Sequence, residues 1–194
     1  MYKIILLASL LICTHAQAQK KILIAYHSES GNTTLMADAV AKGAKSVEGI
    51  EVVMKNISAV TQNELIESDA IILGTPVHNG TASSAMIKFI ESWPFENQPL
   101  KNKIGAAFVT AGGISAGEEL TQIQLLQSML VFGMIVVGGD DWTSAFGASA
   151  ITDEAPFKNS NKQELNNQFT HKAFLLGKRV ATVTKAFRNP NMKK

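Results

Sequence analysis

From about position 20 onward, short apolar runs alternate with amphipathic stretches. The runs Lys21–Tyr26, Glu51–Asn56, Ala70–Thr75, Ile104–Thr110 and Met134–Gly138 are rich in Ile, Val and Leu and alternate little. That pattern predicts five strands buried on both faces. Four helices are predicted between and after them. Thr33–Val47 carries Met36, Ala39, Val40 and Ala44 on one face, and Ser83–Trp93 carries Met86, Ile87 and Ile90. Glu118–Phe132 carries Leu120, Ile123, Leu126 and Leu130, and Lys162–Phe187 carries Phe169, Ala173, Leu176, Val180 and Val183. Strand–helix alternation of this kind implies an α/β, doubly wound parallel sheet with helices on both faces. Ligands of such sheets bind beyond the C-terminal strand ends, where the loops Ser28–Thr33, Pro76–Thr81 and Ala111–Gly117 are expected to meet. Asp140–Asn161 reads as a longer surface loop near them, and the tail after Arg188 as a frayed end.

The first eighteen residues follow a different pattern. Lys3 precedes the apolar run Ile4–Cys13, and Ala16-Gln17-Ala18 closes it with small residues. This is the plan of a secretory signal cleaved after Ala18, and the run is too short for a permanent membrane span. The expectation is a signal peptide over 1–18, one domain over 19–190 and export to a bacterial periplasm. Ile12 stands where a lipobox needs a small residue, which argues against a lipoprotein anchored through Cys13. Cys13 is the only cysteine, so a chain starting at Gln19 can form no disulfide or thiolate site. Net charge is +2 with scattered lysines, so no nucleic-acid partner is implied. Of three glycosylation triplets, those at Asn32 and Asn79 fall in the ligand loops, where a glycan would block the site; they are read as accidental.

Chemistry concentrates in the loops. Ser28-Glu29-Ser30-Gly31-Asn32-Thr33 follows a strand and opens a helix, offering hydroxyls, a glycine and free backbone N–H groups to a phosphate. No lysine lies in the turn and no Gly-x-x-x-x-Gly-Lys or Gly-x-Gly-x-x-Gly pattern is present. That disfavours a nucleoside triphosphate or a dinucleotide and favours a monophosphate. The second loop, Gly74-Thr75-Pro76-Val77-His78-Asn79-Gly80-Thr81, and the third, Thr110-Ala111-Gly112-Gly113-Ile114-Ser115-Ala116-Gly117, are glycine-rich and poor in charge. They suit a flat polar ring. Gly113-Ile114-Ser115-Ala116-Gly117 also spells a nucleophile elbow, but the late histidine of such a triad would be His171, inside a predicted helix. The pair Asp140 and Asp141 has no third ligand at metal spacing, so no metal is expected.

Ser28-Glu29-Ser30-Gly31-Asn32-Thr33 resembles the FMN phosphate loop of flavodoxins. The order Gly74-Thr75-Pro76, Met86-Ile87-Lys88-Phe89-Ile90, Gly105-Ala106-Ala107-Phe108, Gly133-Met134-Ile135-Val136-Val137-Gly138 and Leu176-Gly177-Lys178-Arg179-Val180-Ala181 is similar to the WrbA-type NAD(P)H:quinone oxidoreductases of the flavodoxin-like group. The resemblance implies a flavodoxin-like fold with strand order 2-1-3-4-5 and bound FMN. Ser28, Glu29, Ser30, Gly31, Asn32 and Thr33 would line the phosphate. Pro76, Val77, His78 and Asn79 would border the isoalloxazine, and Thr110, Ala111, Gly112, Gly113 and Ser115 its pyrimidine side. It further implies NAD(P)H as donor, a small-molecule quinone-like acceptor, and dimers or tetramers. Four positions depart from the WrbA pattern: Ser30 and Phe132 replace an aromatic and a histidine, and His78-Asn79 replaces an arginine–aromatic pair. A flavodoxin-type electron carrier and a flavin-free binding module on the same fold stay open as alternatives.

Among single residues, His78 is the side chain best suited to shuttle a proton at the ring, with a plain loop histidine as the alternative. Trp93 reads as helix-end packing before Pro94, Trp142 as part of a surface loop, and His171 as a surface residue.

Overall fold

Strands form where the apolar runs predict them, and their alternate residues feed two separate cores. The computed structural model describes residues 19–158 and 164–187. Among these the strands are β1 (Lys20–Tyr26), β2 (Ile50–Asn56), β3 (Ala70–His78), β4 (Thr81–Ala82), β5 (Ile104–Ala111), β6 (Ile135–Val136) and β7 (Ala148–Ile151). The helices are α1 (Asn32–Lys45), α2 (Gln62–Glu67), α3 (Ser84–Glu91), α4 (Glu118–Val131) and α5 (Asn167–Ala186). Ile22 and Ile24 of β1, Ile72 of β3 and Phe108 of β5 pack with Met36, Val40, Leu176 and Val180 of α1 and α5. Leu23, Ile71, Leu73, Ala107 and Val109 point the other way, onto Met86, Ile90, Leu125 and Met129 of α3 and α4. The molecule is thus a helix–sheet–helix sandwich with both sheet faces covered.

The parallel path runs β2-β1-β3-β5-β6. With the two-residue β4 set aside, this is the expected 2-1-3-4-5 order, β5 being the fourth main strand. The fifth position is shared. β6 pairs with Ile104 and Gly105 at the start of β5, and β7 pairs with Phe108–Ala111 at its end. Between them residues 137–147 leave the sheet. Gly138 and Gly139 press so closely on the backbone of Ala145 and Ser144 that no Cβ would fit.

Five expectations need correction. The strand predicted over Met134–Gly138 shrinks to Ile135–Val136. The predicted loop Asp140–Asn161 contains β7, whose Ala-Ser-Ala-Ile sequence is too weakly apolar to stand out. The loop Pro76–Thr81 is a hairpin joining β3 to β4, with Asn79 and Gly80 both at positive φ in its turn. α2 was not foreseen, although Thr61 and Glu64 form a capping box at its start. On α4 the buried positions are Thr121, Gln122, Leu125 and Met129, while Leu120, Ile123 and Leu130 face out. The helix carries two apolar stripes, and contacts such as Gln124 Oε1 accepting from Ala82 N at 3.1 Å fix the other phase. The expected helix start at Lys162, the leader over 1–18 and the tail after Arg188 lie outside the described residues.

α1 and α5 cross in close contact through two glycines. A Cβ on Gly43 would overlap the carbonyl oxygen of Phe174, and one on Gly177 would overlap that of Val40. α5 therefore clamps the helix that carries the first ligand loop.

Candidate functional site

The C-terminal ends of β1, β3, β5 and β7 bring four loops to one edge of the sheet. The first is Ser28–Gly31. Gly31 is the N-cap of α1 at φ 94, a left-handed conformation that costs a non-glycine residue about 1–2 kcal/mol. A Cβ there would meet open space. No side chain caps α1 at this position and no acidic residue lies in its first turn. Ser28 Oγ accepts from Thr34 N at 3.4 Å, and Ser30 is exposed. α4 also starts on an uncapped left-handed glycine, Gly117, but its first turn holds Glu118 and Glu119. Of these two helices, α1 is therefore the one whose positive end stays open to an anion.

Thr33 behaves differently from its neighbours in the loop. It is buried, and its hydroxyl shares a 2.8 Å hydrogen bond with that of Thr110 at the end of β5. Its side chain ties the first loop to the third. Asn32 is half-buried at the first position of α1.

The second element is the β3–β4 hairpin. Pro76, Val77 and His78 are half-buried on the last residues of β3, and Asn79 stands exposed in the turn. Glu29 reaches from the first loop between two histidines. Its Oε2 lies 3.8 Å from His78 Nε2 and its Oε1 3.9 Å from His27 Nε2. His27 is anchored in turn: Nδ1 is 2.9 Å from Ser83 Oγ, which is 3.0 Å from Thr75 Oγ1 and accepts from Met86 N to cap α3. Sequence reasoning passed over His27 and Ser83. The available signal was His27's place on the last turn out of β1, directly before Ser28.

The third loop, Gly112–Gly117, follows β5. Gly112 and Ile114 are held by the fourth, the Thr152–Glu154 turn after β7. Asp153 N donates to Gly112 O at 2.9 Å, Thr152 N to Ala111 O at 3.0 Å, and Ile114 N to Glu154 Oε2 at 2.6 Å. Gly113 leaves room only as far as that same carboxylate, 2.8 Å from a Cβ built on it. Ser115 is exposed at φ 59, and its N–H donates to Glu118 Oε1. At the far side the hairpin rests on this loop, with Gly80 Cα 2.7 Å from a Cβ built on Gly117. The structure thus brings every predicted loop to one sheet edge and adds Thr152–Glu154 to them. His171 is not there: it is exposed on α5, in a cleft it shares with Asp38 and Lys42 of α1, and makes no hydrogen bond to Ser115. Trp93 is buried against Phe89 and Phe132, as its position before Pro94 suggests.

Backbone donors at an open helix end, hydroxyls beside them, and two weakly charged loops facing each other fit a phosphate joined to a flat heterocycle. Comparison with known proteins gives the same picture. Residues 21–149 match the family model described as NADPH-dependent FMN reductase. The chain is 32% identical to a flavodoxin of Aquifex aeolicus over 127 residues, 63% of this chain and 66% of that protein, just under two thirds of its length. It is 38% identical to a flavodoxin of Clostridium saccharobutylicum over 119 residues, 61% of this chain and 73% of that one. Among solved structures, a WrbA-like flavodoxin from Agrobacterium tumefaciens superposes with a TM-score of 0.71 at 24% identity, covering 87% of this chain and 99% of that one. A flavodoxin from the domain Archaea gives 0.67 at 26% identity, over 85% and 99%.

Proposed function

Since the chain belongs to the NADPH-dependent FMN reductase family, within the flavodoxin-like FMN-binding proteins, we propose that it is an FMN-dependent oxidoreductase that passes two electrons from a reduced nicotinamide or another donor to a quinone-like acceptor. The observation that carries this is the open, uncapped start of α1 at Gly31, set among the Ser28 and Ser30 hydroxyls and free of acidic residues in its first turn. The backbone N–H groups of Ser30–Thr33 and those hydroxyls would hold the phosphate there. Val77, His78 and Asn79 on one side and Ala111–Ser115 on the other would border the ring, with Gly80 packed against Gly117 beside them. When bound, the flavin supplies the hydride and electron chemistry, and the chain's part is to hold and tune it. Glu29 of the phosphate loop lies 3.8 Å from His78 of the hairpin, so the two halves of the site meet there. His78 is the side chain here suited to carry a proton to or from the ring edge.

Titration of the purified protein with FMN, followed by quenching of flavin fluorescence, tests this. Saturable binding at one FMN per chain, much weaker with riboflavin, is expected. Equal affinity for both flavins would remove the phosphate role of the first loop, and no binding would overturn the reading. The similarity to two flavodoxins favours a second reading, that of an electron carrier. Reductive titration separates them: direct two-electron reduction marks the reductase, and two resolved one-electron steps mark the carrier. The leader pattern adds that the protein works after export, with residues 1–18 removed. N-terminal sequencing of the protein from its native host, beginning at Gln19 or at Met1, decides that point.

A further inference from the structure

Building on the flavin reading of the site, we propose that Glu154 and Glu118 are positioning residues for the ring. Each takes one of two consecutive amides of the third loop, and together they leave the Gly112 and Gly113 N–H groups for a bound ring's carbonyl oxygens. Ile114 N donates to Glu154 Oε2 at 2.6 Å, and Ser115 N donates to Glu118 Oε1 at 3.0 Å. The N–H groups of Gly112 and Gly113 make no hydrogen bond among the described residues. The two carboxylates thus sort the loop's amides into a pair spent on the protein and a pair open to a ligand.

The loop needs such a grip because its own backbone resists its shape. Ser115 sits at φ 59, and the left-handed region costs a residue with a Cβ about 1–2 kcal/mol. Charge-assisted hydrogen bonds to its own amide and to its neighbour's offset that cost. Glu154 stands on a fixed base. Thr152 N and Asp153 N tie its turn to Ala111 and Gly112, and Phe157 N closes the turn on Glu154 O at 2.8 Å. Phe157 in turn packs against Phe169 of α5, ring centroids 5.1 Å apart. No lysine or arginine pairs with either carboxylate among the described residues, so no cation draws them off the amides. Glu118 also keeps Oε2 buried and without a hydrogen-bond partner among the described residues. As a carboxylate oxygen it only accepts, which suits an N–H of the same ring. Gly113 completes the arrangement. A Cβ on it would lie 2.8 Å from Glu154 Oε2, with no atom outside Glu154 nearer than 4.0 Å. A side chain at this position would evict the carboxylate and disturb little else.

The test is titration of the purified protein with riboflavin, which carries the ring without a phosphate, beside FMN. Glu154→Ala and Glu118→Ala are each expected to weaken riboflavin about tenfold, with the ratio of FMN to riboflavin affinity unchanged. Glu154→Gln keeps an acceptor oxygen and is expected to recover most of that loss. Gly113→Ala is expected to match Glu154→Ala, and the two together to lose no more than either alone. The visible absorption bands of the bound flavin should shift in Glu154→Ala and return in Glu154→Gln, which a purely structural role would not produce. Glu154 is exposed, so its urea midpoint should stay in place. A residue whose alanine variant binds riboflavin at full strength has no positioning role. Equal losses in Glu154→Ala and Glu154→Gln, or additive losses in Glu154→Ala and Gly113→Ala, overturn the proposal. If the unsubstituted protein binds neither flavin, the proposed function itself falls; if it binds both and the variants are indifferent, only the positioning role falls.

Discussion

At the scale of single residues, two glycines and one serine hold the site in shape. Gly31 sits in open space, so replacing it with alanine changes only backbone preference. Gly31→Ala should lower stability by about 1–2 kcal/mol while leaving the fold intact, and should weaken FMN more than riboflavin because the first loop relaxes toward another cap geometry. Chemical denaturation and the two flavin titrations read these effects separately. Gly117 is the opposite case: φ is 102 and the backbone of Gly80 is in the way. Gly117→Ala has to push the hairpin off the third loop, so ring affinity should fall for riboflavin and FMN alike. Ser83 joins a helix cap to His27. Ser83→Ala should cost about 1–2 kcal/mol through the lost cap and the unpaired imidazole, measured by urea unfolding.

At the scale of elements, α2 is short and leans on its termini. Glu64 accepts from Thr61 N and Thr61 Oγ1 and pairs with Lys55. The Lys55 ammonium and the Thr61 N–H hold its carboxyl down from 4.5 to about 2. A carboxylate with a depressed folded pKa contributes stability that is complete above its unfolded pKa and is lost as pH falls through the folded one. Glu64→Gln should therefore flatten the acid limb of stability between about pH 4.5 and 2, and leave stability at pH 7 lower by the missing ion pair. At the other end of α2, Lys103 donates to the carbonyls of Ile66 and Ser68, and burial lowers its amine pKa. Lys103→Met leaves both carbonyls without that donor and should destabilise by about 1–3 kcal/mol.

The strands and the three predicted loops were legible because Ile, Val and Leu runs buried on both faces leave an unbroken apolar signature. β7 was not, since Ala148-Ser149-Ala150-Ile151 becomes a strand only through the ladder β5 offers it. The hairpin was half-legible: Asn79-Gly80 is a strong turn signal, but two-residue β4 gives no pattern beside it. The face of α4 could not be chosen from periodicity at all, because Leu120-Ile123-Leu130 and Leu125-Met129 repeat equally well. Of the site, the glycines and hydroxyls were visible as local motifs. The Glu29 contact with His78 and the His27–Ser83 hydrogen bond were not, because they join residues far apart in the chain.

At the scale of the whole molecule, the first and last helices carry each other. Gly177→Leu should drive α5 off Val40 and destabilise by about 3 kcal/mol or more, and because α1 begins at Gly31 it should also lower FMN affinity, as unfolding and fluorescence titration would show. The same glycine contact sets an order in time. A ribosome delivers α1 more than a hundred residues before α5, so the nascent chain has its phosphate loop long before it has the helix that braces it. Until α5 (Asn167–Ala186) emerges, the groove on α1 is bare and the loop is unsupported. Flavin capture is then expected to follow the docking of α5 on α1 rather than precede it.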